Sequence, residues 1–151
     1  MKTKTFLLSS LLLLGTALNL NAAEPVKRVT ISGYDTMKFS VTTIEAKPGQ
    51  PIIVELKNEG SMPKDAMGHN WILLKAGADP LAYVAAAANA KAENYQPKAM
   101  ANRVIASIGL LGPKEHGVTS FTAPKEPGTY HYVCSFPAHT QAGMRGTLIV
   151  K

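Results

Sequence analysis

Cys134-Ser135-Phe136-Pro137-Ala138-His139-Thr140-Gln141-Ala142-Gly143-Met144 joins the only cysteine of the chain to a histidine and then a methionine, at five-residue steps. Far upstream, Gly68-His69-Asn70 offers a second histidine. One thiolate, two imidazoles and a thioether make the donor set of a trigonal copper site with a weak, long axial sulfur. Thiolate and thioether favour Cu(I), and imidazole suits both oxidation states, so the set fits one-electron exchange better than hydrolysis. Taken singly, each residue has a plainer reading. A lone cysteine is a small buried hydrophobe, His139 a surface residue and Met144 a filler of core space. The four at this spacing argue for a metal site.

The same stretch anchors the fold. A Pro127-Gly128 turn precedes it, and Thr129 to Val133 reads as a strand that ends at Cys134. Working outward, short β-rich runs recur between turn residues: Val26–Ser32, Lys38–Ile44, Pro51–Leu56, Asn70–Leu74, Arg103–Ser107, Val118–Thr122 and Gly146–Val150. Strands at this spacing predict an all-β, Greek-key sandwich. One segment departs from the pattern. Asp79-Pro80 supplies a capping residue and a first-turn proline, and the alanine-rich run Leu81 to Glu93 predicts one inserted helix. Pro137-Ala138 bend the loop so that His139 and Met144 turn back toward Cys134, while His69 arrives from another strand. Period-two alternation places His131 on the opposite side from Tyr130, Tyr132 and Cys134, and His116 falls in a polar loop, so both are left out of the site.

Met1-Lys2-Thr3-Lys4, the apolar run Phe6–Leu14 and Asn21-Ala22-Ala23 have the layout of a secretory signal peptide. The apolar run falls short of the roughly 20 residues a spanning helix needs. The expectation is therefore a leader over residues 1–23 and one domain over 24–151, exported, soluble and periplasmic. A single free thiol in an oxidising compartment invites oxidation or intermolecular pairing, whereas metal ligation explains its persistence. The formal net charge is +6, and loss of Lys2 and Lys4 with the leader would leave +4 (6 − 2). The basic residues are scattered rather than clustered with aromatics, which argues against nucleic-acid binding. A mild positive charge would steer acidic partner surfaces.

Met62-Pro63-Lys64-Asp65-Ala66-Met67-Gly68-His69-Asn70-Trp71 and Cys134-Ser135-Phe136-Pro137-Ala138-His139 resemble the two copper loops of the azurin-like cupredoxins. Arg103-Val104-Ile105-Ala106 and Gly146-Thr147-Leu148 extend the likeness over most of the chain. The resemblance implies an eight-stranded cupredoxin barrel with a helical flap, one type 1 copper and electron transport without enzymatic turnover. It implies His69, Cys134 and His139 as equatorial ligands, Met144 as the axial ligand and the Gly68 carbonyl opposite. It also implies that Asn70 ties the copper loops together, and that the Asn70 and Phe136 amides hydrogen-bond the thiolate. Electrons would leave through His139 inside an apolar patch of Met62, Ala66, Met67, Phe136, Ala138 and Ala142. The implied partners are redox proteins such as cytochrome c or copper nitrite reductase, met by a monomer with no membrane span.

Three features depart from azurins. Four residues separate His139 from Met144 instead of three, a spacing similar to plastocyanin, pseudoazurin and auracyanin loops. The azurin disulfide is missing, which forfeits roughly 2–4 kcal/mol unless packing offsets it. Asn58 stands where azurins often carry a titrating histidine. Three other chemistries compete with electron transfer: a copper carrier or buffer using the same ligands, a zinc-bound structural domain, and a Cys134–His139 nucleophile pair.

Overall fold

The computed structural model describes residues 24–151; the leader expected over residues 1–23 lies outside them. Nine strands form two sheets. The first has the order β2 (Lys38–Phe39), β1 (Lys27–Tyr34), β4 (Pro51–Asn58), β7 (His116–Thr122). The second runs β3 (Thr43–Ala46), β9 (Arg145–Val150), β8 (Gly128–Val133), β5 (His69–Leu74), β6 (Val104–Leu111). β1 runs parallel to β4 and β3 parallel to β9; the other pairs are antiparallel. Four of the seven strand pairs join strands that are not consecutive in sequence, the crossovers of a Greek-key sandwich.

Alternation sets the faces. β4 turns Ile52, Val54, Leu56 and Asn58 inward, so one side of the strand is apolar until its last residue. β5 lies between β8 and β6 and is buried along its whole length. Trp71 at its centre packs on Tyr132 of the same sheet, with ring centroids 5.4 Å apart, and on Phe121 of the facing sheet at 6.1 Å. Burying such large side chains is worth about 1.5–3 kcal/mol each, and this core holds the sandwich without a disulfide.

The run Lys38–Ile44, expected as one strand, is divided between the two sheets. Phe39 and Ile44 lie an odd number of residues apart, so a single strand would point them to opposite faces. Breaking the chain over residues 40–42 lets both reach the core, and it adds a ninth strand to the expected eight. His116 is exposed as expected, but it opens β7 opposite Lys57 instead of sitting in a loop.

The inserted helix is shorter than expected. α2 (Pro80–Ala88) starts at Asp79, whose side chain accepts the Leu81 N–H at 2.8 Å. It stops at Asn89 rather than running to Glu93; a 3₁₀ turn (Lys91–Glu93) follows, and a second 3₁₀ segment (Lys98–Arg103) leads into β6. The Asn89 N–H bonds back to the Ala86 carbonyl, tightening the last turn, and Asn94 and Tyr95 then take left-handed backbone (φ 53° and 59°) that no α-helix accommodates. Tyr83, Val84 and Ala87 bury the inner face of α2 against the sheet that carries β8. A further one-turn helix, α1 (Lys64–Met67), follows Pro63, whose carbonyl accepts the Ala66 and Met67 N–H groups. α1 precedes β5 and carries Ala66 and Met67 of the expected apolar patch.

Candidate metal centre

β8 delivers Cys134 to one end of the sandwich, and β5 begins there with His69. The connection from β8 to β9 then folds back on itself. The Cys134 N–H donates to the Met144 carbonyl (3.0 Å), and the Met144 N–H donates to the His139 carbonyl (2.9 Å). Thr140 Oγ1 caps the Cys134 carbonyl at 2.8 Å. These bonds bring both ends of the loop and its middle histidine to one point. The donor atoms of His69, Cys134 and His139 all lie within 4.8 Å of one another, and all three residues are buried. His139 Nδ1 stands 3.3 Å from His69 Nδ1 and 3.4 Å from the Cys134 sulfur. Three donors bonded at about 2.0–2.3 Å to one ion in a plane would lie roughly 3.5–3.8 Å apart, close to this spacing.

Met144 is fully buried beside them. A methyl group placed on Gly33 of β1 would meet the Met144 terminal carbon at 2.9 Å and the His69 ring at 3.0 Å. That close approach explains the glycine and puts the thioether next to the first imidazole. Gly68, just before His69, is likewise held against the Lys64 carbonyl and Leu110, where a side chain would clash. The residues present fit copper. Two imidazoles, a thiol and a thioether converge, and within this cluster the only His, Cys, Asp or Glu groups are the two histidines and the cysteine. Zinc sites take nitrogen, thiolate or carboxylate ligands and make no use of a thioether.

The chemistry of the metal-free groups follows from burial. The Cys134 thiol is pushed up to about 12 by burial, while backbone hydrogen bonds from Asn70 and Phe136 to its sulfur pull the other way. At neutral pH the free site holds a thiol, so binding a metal as thiolate must release a proton. Burial, and then the neighbouring His69, lower His139 to about 4, and burial also lowers His69 against the opposing pull of Asp35. Both imidazoles therefore stand neutral with lone pairs available. A depressed histidine lends stability that is complete above its unfolded value and is lost as the pH falls. Metal-free protein should thus weaken from about pH 6.5 toward pH 4, by up to roughly 1.4 kcal/mol per pH unit for each histidine. Denaturant midpoints across that range, with His139→Gln flattening the slope, check this; a flat parent profile would contradict it.

Asn70 stands with its side chain between the two loops. Its Nδ2 donates to Ser135 Oγ at 2.8 Å, and its Oδ1 accepts the Ser135 N–H at 2.7 Å. The Ser135 hydroxyl in turn donates to the Tyr95 carbonyl. Phe136 is only 8% exposed; its ring packs 4.7 Å from His139 and edge-on to Tyr95 at 5.0 Å. Of the other apolar-patch residues, Met62, Ala66 and Ala138 are exposed, while Met67 and Ala142 are half-buried. Ala138 sits at φ 68°, a conformation that strains any residue with a side chain. Ala138→Gly should therefore raise stability by up to about 1 kcal/mol, read as an increased denaturant midpoint; a lower midpoint would show the strain to be absent. His131 is exposed on β8, away from the cluster. Asn58 is buried, donating to the Leu111 carbonyl (3.1 Å) and accepting from the Gly60 N–H (2.9 Å), so this position is a fixed, non-titrating tie.

Several neighbours escape a reading of the sequence. Ser135, Thr140 and Tyr95 carry ordinary identities whose roles come only from where the loops fold. Gly33 has the one usable signal, a glycine inside a run of strand formers.

The chain is similar to known proteins over most of its length. The family model described as copper binding proteins, plastocyanin/azurin family, matches residues 26–151. An azurin of Pseudomonas fluorescens biotype C is 37% identical over 128 residues, covering 82% of this chain and 98% of the relative. Among solved structures, dithionite-reduced auracyanin from Roseiflexus castenholzii superposes with a TM-score of 0.73 at 30% identity, covering 83% of this chain and 97% of its own. An azurin from Methylomonas sp. strain J gives 0.72 at 32% identity, covering 83% and 98%. With a buried His–Cys–His cluster beside a methionine on a two-sheet Greek-key frame, this chain belongs to the plastocyanin/azurin family of copper-binding proteins.

Proposed function

We propose that this protein carries single electrons between redox partners on one copper ion, bound by His69, Cys134 and His139 with Met144 as the axial ligand. The observation that carries this reading is the convergence of two neutral imidazoles and a thiol in a buried cluster, with the thioether packed beside it. Bound copper supplies the one-electron couple. The chain supplies the rest. The amide hydrogen bonds from Asn70 and Phe136 hold negative charge on the thiolate sulfur and tune the potential. The Asn70–Ser135 pair fixes both loops, so the ligands need move little when the charge changes. The carbonyl of Gly68, a residue held close to Lys64 and Leu110, would face the copper from the side opposite Met144.

A nucleophilic enzyme needs an accessible thiol of low pKa, and Cys134 is buried and pushed the other way. The groove of about 470 Å³ beside α2, lined by Thr42, Asp79, Leu81, His131 and Arg145 among others, contains none of the four donors. We therefore read the protein as a carrier and not an enzyme. A copper buffer would need rapid metal exchange, which complete burial of all four donors opposes. Transfer would pass through His139 by way of exposed Met62, Ala66 and Ala138, whose small, partly apolar contact suits brief encounters with a redox protein such as cytochrome c or copper nitrite reductase. The protein would act as an exported monomer after loss of residues 1–23. No helix among the described residues is long and apolar enough to cross a membrane.

Loading with Cu(II), recording the visible and EPR spectra and reducing with ascorbate tests the reading. An intense thiolate–copper band with narrow hyperfine splitting, bleached and restored reversibly, is expected. A pale, widely split spectrum or irreversible thiol oxidation would overturn it.

A further inference from the structure

The turn between β1 and β2 touches the metal loops at four points. Gly33 lies so close to the Met144 methyl and the His69 ring that a side chain there would clash with both, and the Tyr34 backbone hydrogen-bonds His69. Asp35 accepts the Ser61 N–H (2.8 Å) and hydroxyl (3.0 Å) at the start of the Met62–Met67 segment. Lys38, whose backbone pairs with Tyr34, reaches in the other direction and donates its ammonium to the Ala142 carbonyl. A side chain on Gly143 would meet that ammonium at 2.5 Å, so Lys38 lies over the residue just before Met144.

Within the His139–Met144 loop, Met144 and Thr140 are tied to Cys134, and the other bonds are local. Ala142 N–H donates to Ala138, Gly143 N–H to Thr140 and Met144 N–H to His139. These turns set the path of the loop; Gly143 is tied onward only to Arg145 at the start of β9, whose N–H donates to its carbonyl (2.9 Å), and none of these bonds holds the Ala142 carbonyl. Gly143 has φ 102°, a backbone shape that glycine holds with little resistance to distortion. Lys38 is the side chain from a neighbouring strand that anchors this flexible point.

We propose that Lys38 is a positioning residue for the axial methionine: with Gly33 it forms a clamp, one arm against the Met144 thioether and the other on the carbonyl two residues before it. The inference rests on Met144 being the axial ligand. It adds that the β1–β2 hairpin, rather than the ligand loop alone, sets how closely the thioether approaches the metal. Lys38 also places a fixed positive charge beside the site, which favours the reduced ion.

Lys38→Met keeps the aliphatic stem and removes the donor and the charge; Lys38→Arg keeps both in altered form. In copper-loaded Lys38→Met, the reduction potential should fall, and the relative intensity of the two sulfur-to-copper absorption bands should change. Lys38→Arg should restore the band ratio. In metal-free Lys38→Met, amide exchange at Gly143 and Met144 should accelerate while exchange in β8 stays unchanged. A potential shift with an unaltered band ratio and unaltered exchange would mean that Lys38 acts by charge alone, and the clamp would be refuted. Met144→Leu serves as the control. If it leaves band ratio and potential unmoved, the axial assignment fails; if it moves both while Lys38→Met moves neither, the clamp fails and the axial assignment stands.

Discussion

Cys134→Ser should abolish the intense visible band of the copper-loaded protein while leaving the metal-free fold intact. Of the predicted changes this is the largest in the spectrum, because that band arises from the bond between the metal and the thiolate sulfur, and serine offers a far weaker ligand in its place. The substitution is nearly isosteric. Cys134 is fully buried and its sulfur receives the Asn70 and Phe136 amides, both of which a hydroxyl oxygen can accept. Far-UV circular dichroism and denaturant midpoint of the metal-free variant should therefore stay near the parent values. Copper affinity should drop steeply, since imidazole and thioether remain but the anionic soft donor is gone. Equilibrium dialysis and the visible spectrum read both effects. A variant that stayed blue would place the thiolate elsewhere and dissolve the proposed ligand set.

Asn70→Ala is expected to have the largest effect on stability, at about 3 kcal/mol. The side chain is fully buried and makes two hydrogen bonds to Ser135, one to the hydroxyl and one from the backbone N–H. Each bond contributes about 1 kcal/mol, and the buried Ser135 N–H left without a partner adds about 1–3 kcal/mol of desolvation cost. For a chain of this size such a loss corresponds to a drop in melting temperature on the order of 10 °C. The effect should exceed that of an exposed substitution because the tie spans 65 residues of sequence, linking the segment that carries His69 to the loop that carries the other three donors. Copper loading should recover part of the loss, since the metal joins the same two segments. Thermal melts of both forms measure this. Equal melting temperatures for parent and variant would show that the loops are held by packing alone.

Much of the site was legible in the sequence because its donor chemistry is rare. Cysteine, histidine and methionine at five-residue steps have few joint uses, and His69 stood out by its Gly68-His69-Asn70 setting. The all-β class was legible for a different reason. Alternation, as in Ile52, Val54 and Leu56, records which side of a strand meets the core, and turn residues mark where the chain reverses. Element ends were less legible. The alanines past residue 88 favour helix by intrinsic propensity, yet the chain must turn at Asn94 and Tyr95 to bring the Tyr95 carbonyl to Ser135, and that long-range demand prevails over local preference. The break after Phe39 has the same origin. Only the need to fill both halves of one core divides that run between sheets.

The identity of the donors and the kind of metal they suit were determined by the sequence itself, because ligand chemistry resides in the side chain and needs no geometry to be recognised. Their distances, protonation and support were decided by the tertiary structure. Burial is a property of the assembled sandwich; it raises the Cys134 thiol to about 12 against the pull of two backbone hydrogen bonds and, together with the neighbouring His69, lowers His139 to about 4. Gly33, Lys38, Tyr95 and Ser135 gained their places beside the site from strand pairing and loop closure across long separations in sequence. No local pattern encodes such contacts, since their free energy is realised only when the whole core has formed.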